Sequence, residues 1–406
     1  MANDRKIRYY QWRGINPNGK RLSGVMLGYH EQEIRAKLSD QQIQVRKLKR
    51  HNPSTLSRRR NQLKGSDITA ITRQLATMVN SGVPVVQALK LIATSHHKAE
   101  ARATLVMISN QIEAGSTLSR AMHTSSPLFD NFYCDLVATG EQTGHLAHAF
   151  ARLATYREKS EAMRKKVIKA MIYPTMVTLT AIIVTVMMLI FVIPQFASIF
   201  NSFGADLPWF TQRIIDASDF LISHGPYLAL SLLLSGTLAI TAYRKSEQHK
   251  LRVHRLLLAL PIMGPIAGKA AIARFARTLA TTFSSGIPLL SGLEAAGRTA
   301  GNRFIEQAIE GAHGNTAAGM PLHLALRHSE VFPELMLQMV MIGEESGSID
   351  DMLDKVAMTY EDDVDNTVDN LGKILEPLII LFLGTVIGGL LIAMYMPVFK
   401  LMSVVG

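Results

Sequence analysis

Three long stretches of this chain carry no charge, and they limit what it can fold into more than any other feature. After Lys169 the next charged residue is Asp206, and "AMIYPTMVTLTAIIVTVMMLIFVIPQF" lies between them. "FLISHGPYLALSLLLSGTLAITAY" separates Asp219 from Arg244, and "PLIILFLGTVIGGLLIAMYMPVF" separates Glu376 from Lys400. At about 1.5 Å of rise per residue, helices of this length cover the roughly 30 Å hydrocarbon core of a bilayer. The pattern predicts three transmembrane helices, at 170–196, 220–243 and 377–399.

A formal net charge of +11 beside 48% hydrophobic residues fits a membrane protein with basic soluble parts. The opening "MANDRKIRYYQWRGINPNGK" has no apolar run, so the first span is expected to serve as the insertion signal. Arg157, Lys159, Arg164, Lys165, Lys166 and Lys169 precede that span, and Arg244, Lys245, Lys250, Arg252 and Arg255 follow the second. The segment between these two spans has Asp206, Asp216 and Asp219 against Arg213. By the positive-inside rule the N-terminal part and residues 244–376 face the cytoplasm, while the loop 197–219 and the tail 400–406 face the other side of the membrane.

The chain also repeats itself. "RQLATMVNSGVPVVQALKLIATS" from Arg73 aligns with "RTLATTFSSGIPLLSGLEAAGRT" from Arg277 at an offset of 204. "EAGSTLSRAM" matches "AAGMPLHLAL", and after a one-residue deletion "GEQTG" (140–144) matches "GEESG" (343–347) at an offset of 203. Pro174 with Pro377, Pro194 with Pro397 and Phe196 with Phe399 keep that offset. A unit of about 125 residues ending in a span has been duplicated. Both copies must enter the bilayer in the same sense, so the unduplicated span at 220–243 is the return helix.

Within each copy the soluble part reads as helical. Ile68, Ile71, Leu75, Met78 and Val79 recur at three- and four-residue intervals. Gly82 then ends the helix and Pro84 starts the next, as Gly286 and Pro288 do in the second copy. About six helices per copy, arranged as antiparallel bundles, are predicted. Each pentad falls between two of them. One reading makes it a helix–helix turn, with Gly144 and Gly347 at positive φ and Thr143 or Ser346 bonding the backbone. The other keeps the turn and makes Glu141 and Glu344 contact points for a partner or across the bundle, with Gly140 and Gly343 completing the motif.

Residues 1–64 differ. Two alternating stretches flank "INPNGK" and predict a β-hairpin, followed by a helix at "HEQEIRAKLSDQQ" and a strand at "IQVRKLK". This region has 16 Lys and Arg against 4 Asp and Glu, a net of +12. Arg58, Arg59 and Arg60 form a solvated linker or contact anionic lipid or an acidic partner face; with no aromatic residue among these charges, stacking on nucleic acid is unsupported.

Catalytic and cofactor signatures are missing. "GPIAGKA" (264–270) resembles a phosphate loop but is one residue short between its glycines and has Ala270 where a magnesium-binding hydroxyl belongs. His145 and His148 share a helix face without further ligands at metal-binding spacing. Cys134 has no internal disulfide partner and reads as an inert buried thiol. The spans hold no Asp, Glu, Lys or Arg, which argues against a small-solute permease. Gly384 and Gly388 in the last span permit close approach of another helix, in this chain or another.

"KVIKAMIYPTMVTLTAIIVTVMMLIFVIP", with Lys166, Tyr173, Pro174 and the closing Pro194, resembles the signature of the type II secretion F family. These are polytopic inner-membrane platform proteins of type II secretion and type IV pilus machines. The duplicated "SG(V/I)P" turns and pentads match as well, and the resemblance covers residues 67–400. "YQWRG", "TRQLATMVNSGVP" and "LEPLIILFLG" look most similar to the pilus branch. In one respect the second copy departs: Glu361, Asp362, Asp363, Asp365 and Asp369 precede its span where the first copy is basic. That contrast suggests a salt-sensitive contact between copies or chains.

The resemblance implies a mainly α, polytopic membrane protein with three transmembrane helices, two duplicated cytoplasmic helical-bundle domains (65–169 and 244–376) and a small α+β N-terminal region. It implies a platform that catalyses nothing, has no cofactor, and couples hexameric cytoplasmic assembly and retraction ATPases to pilin subunits. Inner-membrane alignment proteins, membrane lipid and further copies of itself, as a homo-oligomer, are the other implied partners; nucleic acid is not among them.

Overall fold

In the computed structural model, residues 8–15, 17, 21–28, 31–40, 42–51, 61–202, 208–261 and 263–405 are described. The N-terminal segment folds as β1 (Arg8–Ile15), β2 (Arg21–Gly28), α1 (Glu31–Asp40) and β3 (Gln44–His51). Its antiparallel sheet has the order β2-β1-β3. Alternation along β1 turns Tyr10 and Trp12 onto Ile34 and Leu38, which makes a small core. The turn at 18–20 and the basic residues Arg58, Arg59 and Arg60 lie outside the described residues.

The first copy forms α2 (Gly65–Asn80), α3 (Val85–Ser95), α4 (Ala99–Glu113), α5 (Leu118–Ser125), α6 (Asn131–Thr143) and α7 (Leu146–Met187). A π-helical turn, Met188–Val192, joins α7 to α8 (Ile193–Ser202). Next come α9 (Trp209–Lys245) and α10 (Glu247–Ala259). The second copy forms α11 (Met263–Ser284), α12 (Leu289–Thr299), α13 (Arg303–Ala317), α14 (Leu322–Arg327), α15 (Glu334–Ser346) and α16 (Ile349–Val405).

Breaks between helices recur at equivalent positions because glycine is used for the same backbone task twice. Gly82 and Gly286 have φ of 83° and 80°, Gly115 and Gly319 of 89° and 96°, Gly144 and Gly347 of 76° and 73°. After the first pair, Val83 N–H donates to Met78 O and Ile287 N–H to Thr282 O, closing each helix with the same wide turn.

Two compact units are present, and they do not follow the repeat. One contains residues 1–161, 274–299 and 309–356; the other contains 162–273, 300–308 and 357–406. In the first unit Ile68, Leu75, Leu89, Leu105, Tyr133 and Phe150 build a core that also takes in Ile287 and Ala295 from the second copy. Thr72 and Tyr133 share a buried hydroxyl–hydroxyl bond of 3.0 Å, and burial pushes the Tyr133 phenol up to about 12. Arg157 donates to Leu128 O at 2.9 Å and lies over the Tyr133 ring. A residue counted in the sequence as a topological charge therefore also staples the bundle.

Among the described residues, three single helical runs are long and apolar enough to cross a membrane: Leu146–Ser198, Trp209–Tyr243 and Ile349–Met396. Sequence reading separated bundle from span near Lys169, whereas α7 continues through that point without a break, since no Gly or Pro interrupts 146–173. Part of the stretch read as a loop at 197–219 is also helical: α9 begins at Trp209. Arg213, Asp216 and Asp219 had ended the apolar run there without ending the helix.

The spans are tied at their closing prolines. Pro194 has no N–H, so the π-type bond that Ile193 makes to Met188 O cannot be followed by one to Leu189 O. That carbonyl instead accepts the buried Ser218 hydroxyl of α9. Pro397 likewise cannot donate to Ala393 O, which accepts the Thr211 hydroxyl of α9 at 2.8 Å. One unduplicated helix thus satisfies the orphaned carbonyl of both duplicated spans.

Candidate functional site

Each residue of the pentad has a physical task. In the first copy the Glu141 carboxylate accepts from Leu118 N at 2.8 Å, Ser119 N at 3.4 Å and Ser119 Oγ at 3.2 Å. In the second, Glu344 accepts from Leu322 N at 2.5 Å and His323 N at 3.1 Å, with His323 Nδ1 close beside it. These amides open α5 and α14, whose first N–H groups have no partner inside their own helix. Both glutamates face across the bundle, the second of the two contacts the sequence left open.

The glycines of the motif act differently from each other. A Cβ at Gly140 would stand 2.6 Å from Ala149 Cβ, and one at Gly343 would stand 2.8 Å from Ile349 Cα. Only hydrogen at these positions lets the following helix pack so closely. Gly144 and Gly347 take the left-handed conformation, and Thr143 Oγ1 and Ser346 Oγ donate back to Thr139 O at 2.8 Å and Ile342 O at 2.7 Å.

In the second unit one of the basic residues before the first span meets the acidic cluster, and so does Lys269, which the sequence reading did not single out. Lys166 on α7 lies 3.1 Å from both Asp365 and Asp369 on α16, and Lys269 on α11 lies 2.9 Å from Asp363. Asp365 and Asp369 are one turn apart and present one face. Beneath them Val364, Val368 and Leu371 pack with Ile266, Ala270, Val167 and Met171. The result is a charged collar over an apolar seam, joining both copies where their spans begin. Asp362 is exposed away from these pairs, and Glu361 is half-buried.

The rest of the membrane signature is distributed. Pro174 is buried within α7, Tyr173 beside it is exposed, and Pro377 is exposed on α16. Among the described residues nothing lies within 4 Å of a Cβ built at Gly384 or Gly388; it is Gly389 that approaches a neighbour, Phe210 of α9. The close approach inferred from that glycine pair is therefore not made within the described chain.

Cys134 is buried, and its thiol is pushed up to about 12 by burial and by Asp130 and Asp135. His145 and His148 are exposed, and among the described residues no group of three or more His, Cys, Asp or Glu is placed to hold a metal. What sequence reasoning missed are the hydroxyls Ser218 and Thr211, whose signal was a proline four or five positions beyond each carbonyl they serve.

The repeated geometry coincides with a known pattern. Residues 71–194 and 275–397 match the family described as type II secretion system (T2SS), protein F, so each match ends at a stapled proline. The chain belongs to the type II secretion system protein F family. Residues 1–49 match that family's N-terminal domain. The chain is 44% identical over 407 residues to the type IV pilus assembly protein TapC of Aeromonas hydrophila, covering 99% of this chain and 97% of the relative. It is 39% identical to the type IV pilus assembly protein PilC of Pseudomonas aeruginosa, over 92% of this chain and all of the relative. Similarity to the type II secretion system protein F of Vibrio cholerae is 32%, over 97% and 98% of the two chains.

Proposed function

We propose that this F-family chain is the inner-membrane platform of a type IV pilus machine, and that it acts without chemistry of its own. The observation that carries the reading is the graded similarity: 44% identity over 99% of the chain to a pilus assembly protein, against 32% over 97% for a secretion protein F. In this reading the N-terminus and residues 244–376 are cytoplasmic and the C-terminus is periplasmic, on the distribution of basic residues. The helical bundles engage the cytoplasmic assembly and retraction ATPases. The spans hand pilin subunits into and out of the fibre, alignment proteins fix the platform in the machine, and the chain works as a homo-oligomer. The basic linker at Arg58, Arg59 and Arg60 contacts anionic lipid or an acidic partner face. Long apolar spans tied to one another through Ser218 and Thr211 support a part that transmits movement.

The test is deletion and complementation, with surface fibres counted and exported enzymes assayed in the same strains. Lost fibres with normal export is the expected result. Lost export with intact fibres would assign the chain to a secretion machine instead.

A further inference from the structure

Deepening the homo-oligomer in that reading, we infer that chains join through the same contact that joins the two copies within one chain. The internal contact is head-to-tail. The second copy brings α11 and α12 against α6 and α7 of the first: Arg152 Nη1 donates to Ser284 Oγ at 2.9 Å and to Ser285 Oγ at 2.7 Å, and Tyr156 Oη pairs with Thr278 Oγ1 at 3.1 Å. Ala295, 8% exposed, and Phe132, 3% exposed, are buried in one cluster.

A head-to-tail contact between two equivalent bodies uses one half of the surface on each and leaves the other half over. The repeat offset locates the unused halves. Ala295 corresponds to Leu91, which is 47% exposed; Phe132 corresponds to Leu335, 39% exposed; Thr139 corresponds to Ile342, 45% exposed. The polar partners are also reproduced. Arg152 corresponds to Lys355, which is exposed, and Ser284 and Ser285 correspond to Asn80 and Ser81. Ser81 Oγ gives its proton to Thr77 O at 2.9 Å as Ser285 Oγ gives its own to Thr281 O at 2.6 Å, so both hydroxyls present a lone pair outward to a cation.

Exposed apolar residues on both leftover faces, Leu91 on one and Leu335 and Ile342 on the other, together with a lysine on one face and a serine on the other, make the two faces complementary. The occupant is a second copy of this chain, with its second repeat on the first repeat of its neighbour. Both copies send their spans across the bilayer in one sense, so repeating the operation keeps every chain in the plane of the membrane. The product is a head-to-tail assembly in which bundles of one and two alternate.

Single cysteines at the two faces read this directly in the full-length chain in its membrane, since native Cys134 is buried. One tagged copy carries Leu91→Cys and a differently tagged copy carries Ile342→Cys, treated with a short bifunctional thiol reagent. Cross-links are expected between unlike variants and not within either variant alone, with ladders when one chain carries both. Leu91→Asp is expected to raise the dissociation midpoint of the purified oligomer at least tenfold without changing its melting temperature, because Leu91 is exposed. Like-with-like links, or an intact oligomer mass with no unlike links, would overturn the interface and leave the homo-oligomer standing. A monomeric mass in the unsubstituted chain would remove both.

Discussion

The Glu141 carboxylate accepts the backbone N–H of Leu118 at 2.8 Å across 23 residues of chain. Removing it by Glu141→Ala leaves the first amides of α5 without a partner, and loss of such a cap costs about 0.5–2 kcal/mol. Glu141→Gln, which keeps one acceptor oxygen, loses less. Hydrogen exchange at the amides of Leu118 and Ser119 is expected to quicken in the order wild type, Gln, Ala; equal rates in all three would show the contact to be idle.

Gly343→Ala places a methyl 2.8 Å from backbone at Ile349, which cannot swing aside as a side chain can. Overpacking of this kind costs about 1–3 kcal/mol. Gly311 on α13 has open space around it and an ordinary helical backbone, so Gly311→Ala is neutral or stabilises by up to about 1 kcal/mol. Melting of the two detergent-solubilised variants separates a packing glycine from an incidental one.

Ser218→Ala strips the donor from a carbonyl inside the membrane and is expected to cost about 1 kcal/mol, the scale of interhelical hydrogen bonds in bilayers. Pro194→Ala returns a backbone N–H to that carbonyl. In the Pro194→Ala background, Ser218→Ala is therefore expected to cost close to nothing, and a double-mutant cycle measures the coupling. Additive losses would show that the hydroxyl serves something other than the orphaned carbonyl.

Asp135 lies on α6 with Glu294 and Arg298 nearby, and its carboxyl is held above the usual range by burial first and by Glu294 second. A raised native value means the folded state binds the proton more tightly than the unfolded state does. The stability it contributes is present while it is protonated and falls as pH rises through the carboxylate range. Asp135→Asn is expected to melt higher than wild type near pH 7, with the gap closing toward pH 4. A gap that is constant with pH would mean the ionisation is not felt.

Lys166 spans two carboxylates, so Lys166→Glu sets three like charges against one another at the collar. Protease cleavage between α7 and α16 is expected to become faster, most at low ionic strength. Combining it with Asp365→Lys and Asp369→Lys should restore wild-type resistance; failure of the triple variant to recover would show that the seam below, not the charges, closes this junction.

Local physics fixed much of this protein in the linear chain. Uncharged runs, a turn that needs Gly82 or Gly286 at positive φ, and apolar residues at helical spacing each depend on neighbours a few positions away, so the spans, the duplication and the pentad turns were readable from residues alone. Even the hairpin at Arg8–Gly28 followed from alternation. The continuity of α7 through Lys169 and of α9 from Trp209 was hidden because a change from apolar to charged marks a change of surroundings, not the end of a helix. What Glu141, Arg152, Ser218 and Thr211 do was also beyond the sequence. Their partners lie at Leu118, Ser285, Leu189 and Ala393, and hydrogen bonds across such separations form only when packed helices bring donor and acceptor together, at Leu118, Leu189 and Ala393 because a helix terminus or a proline has left a backbone group unpaired.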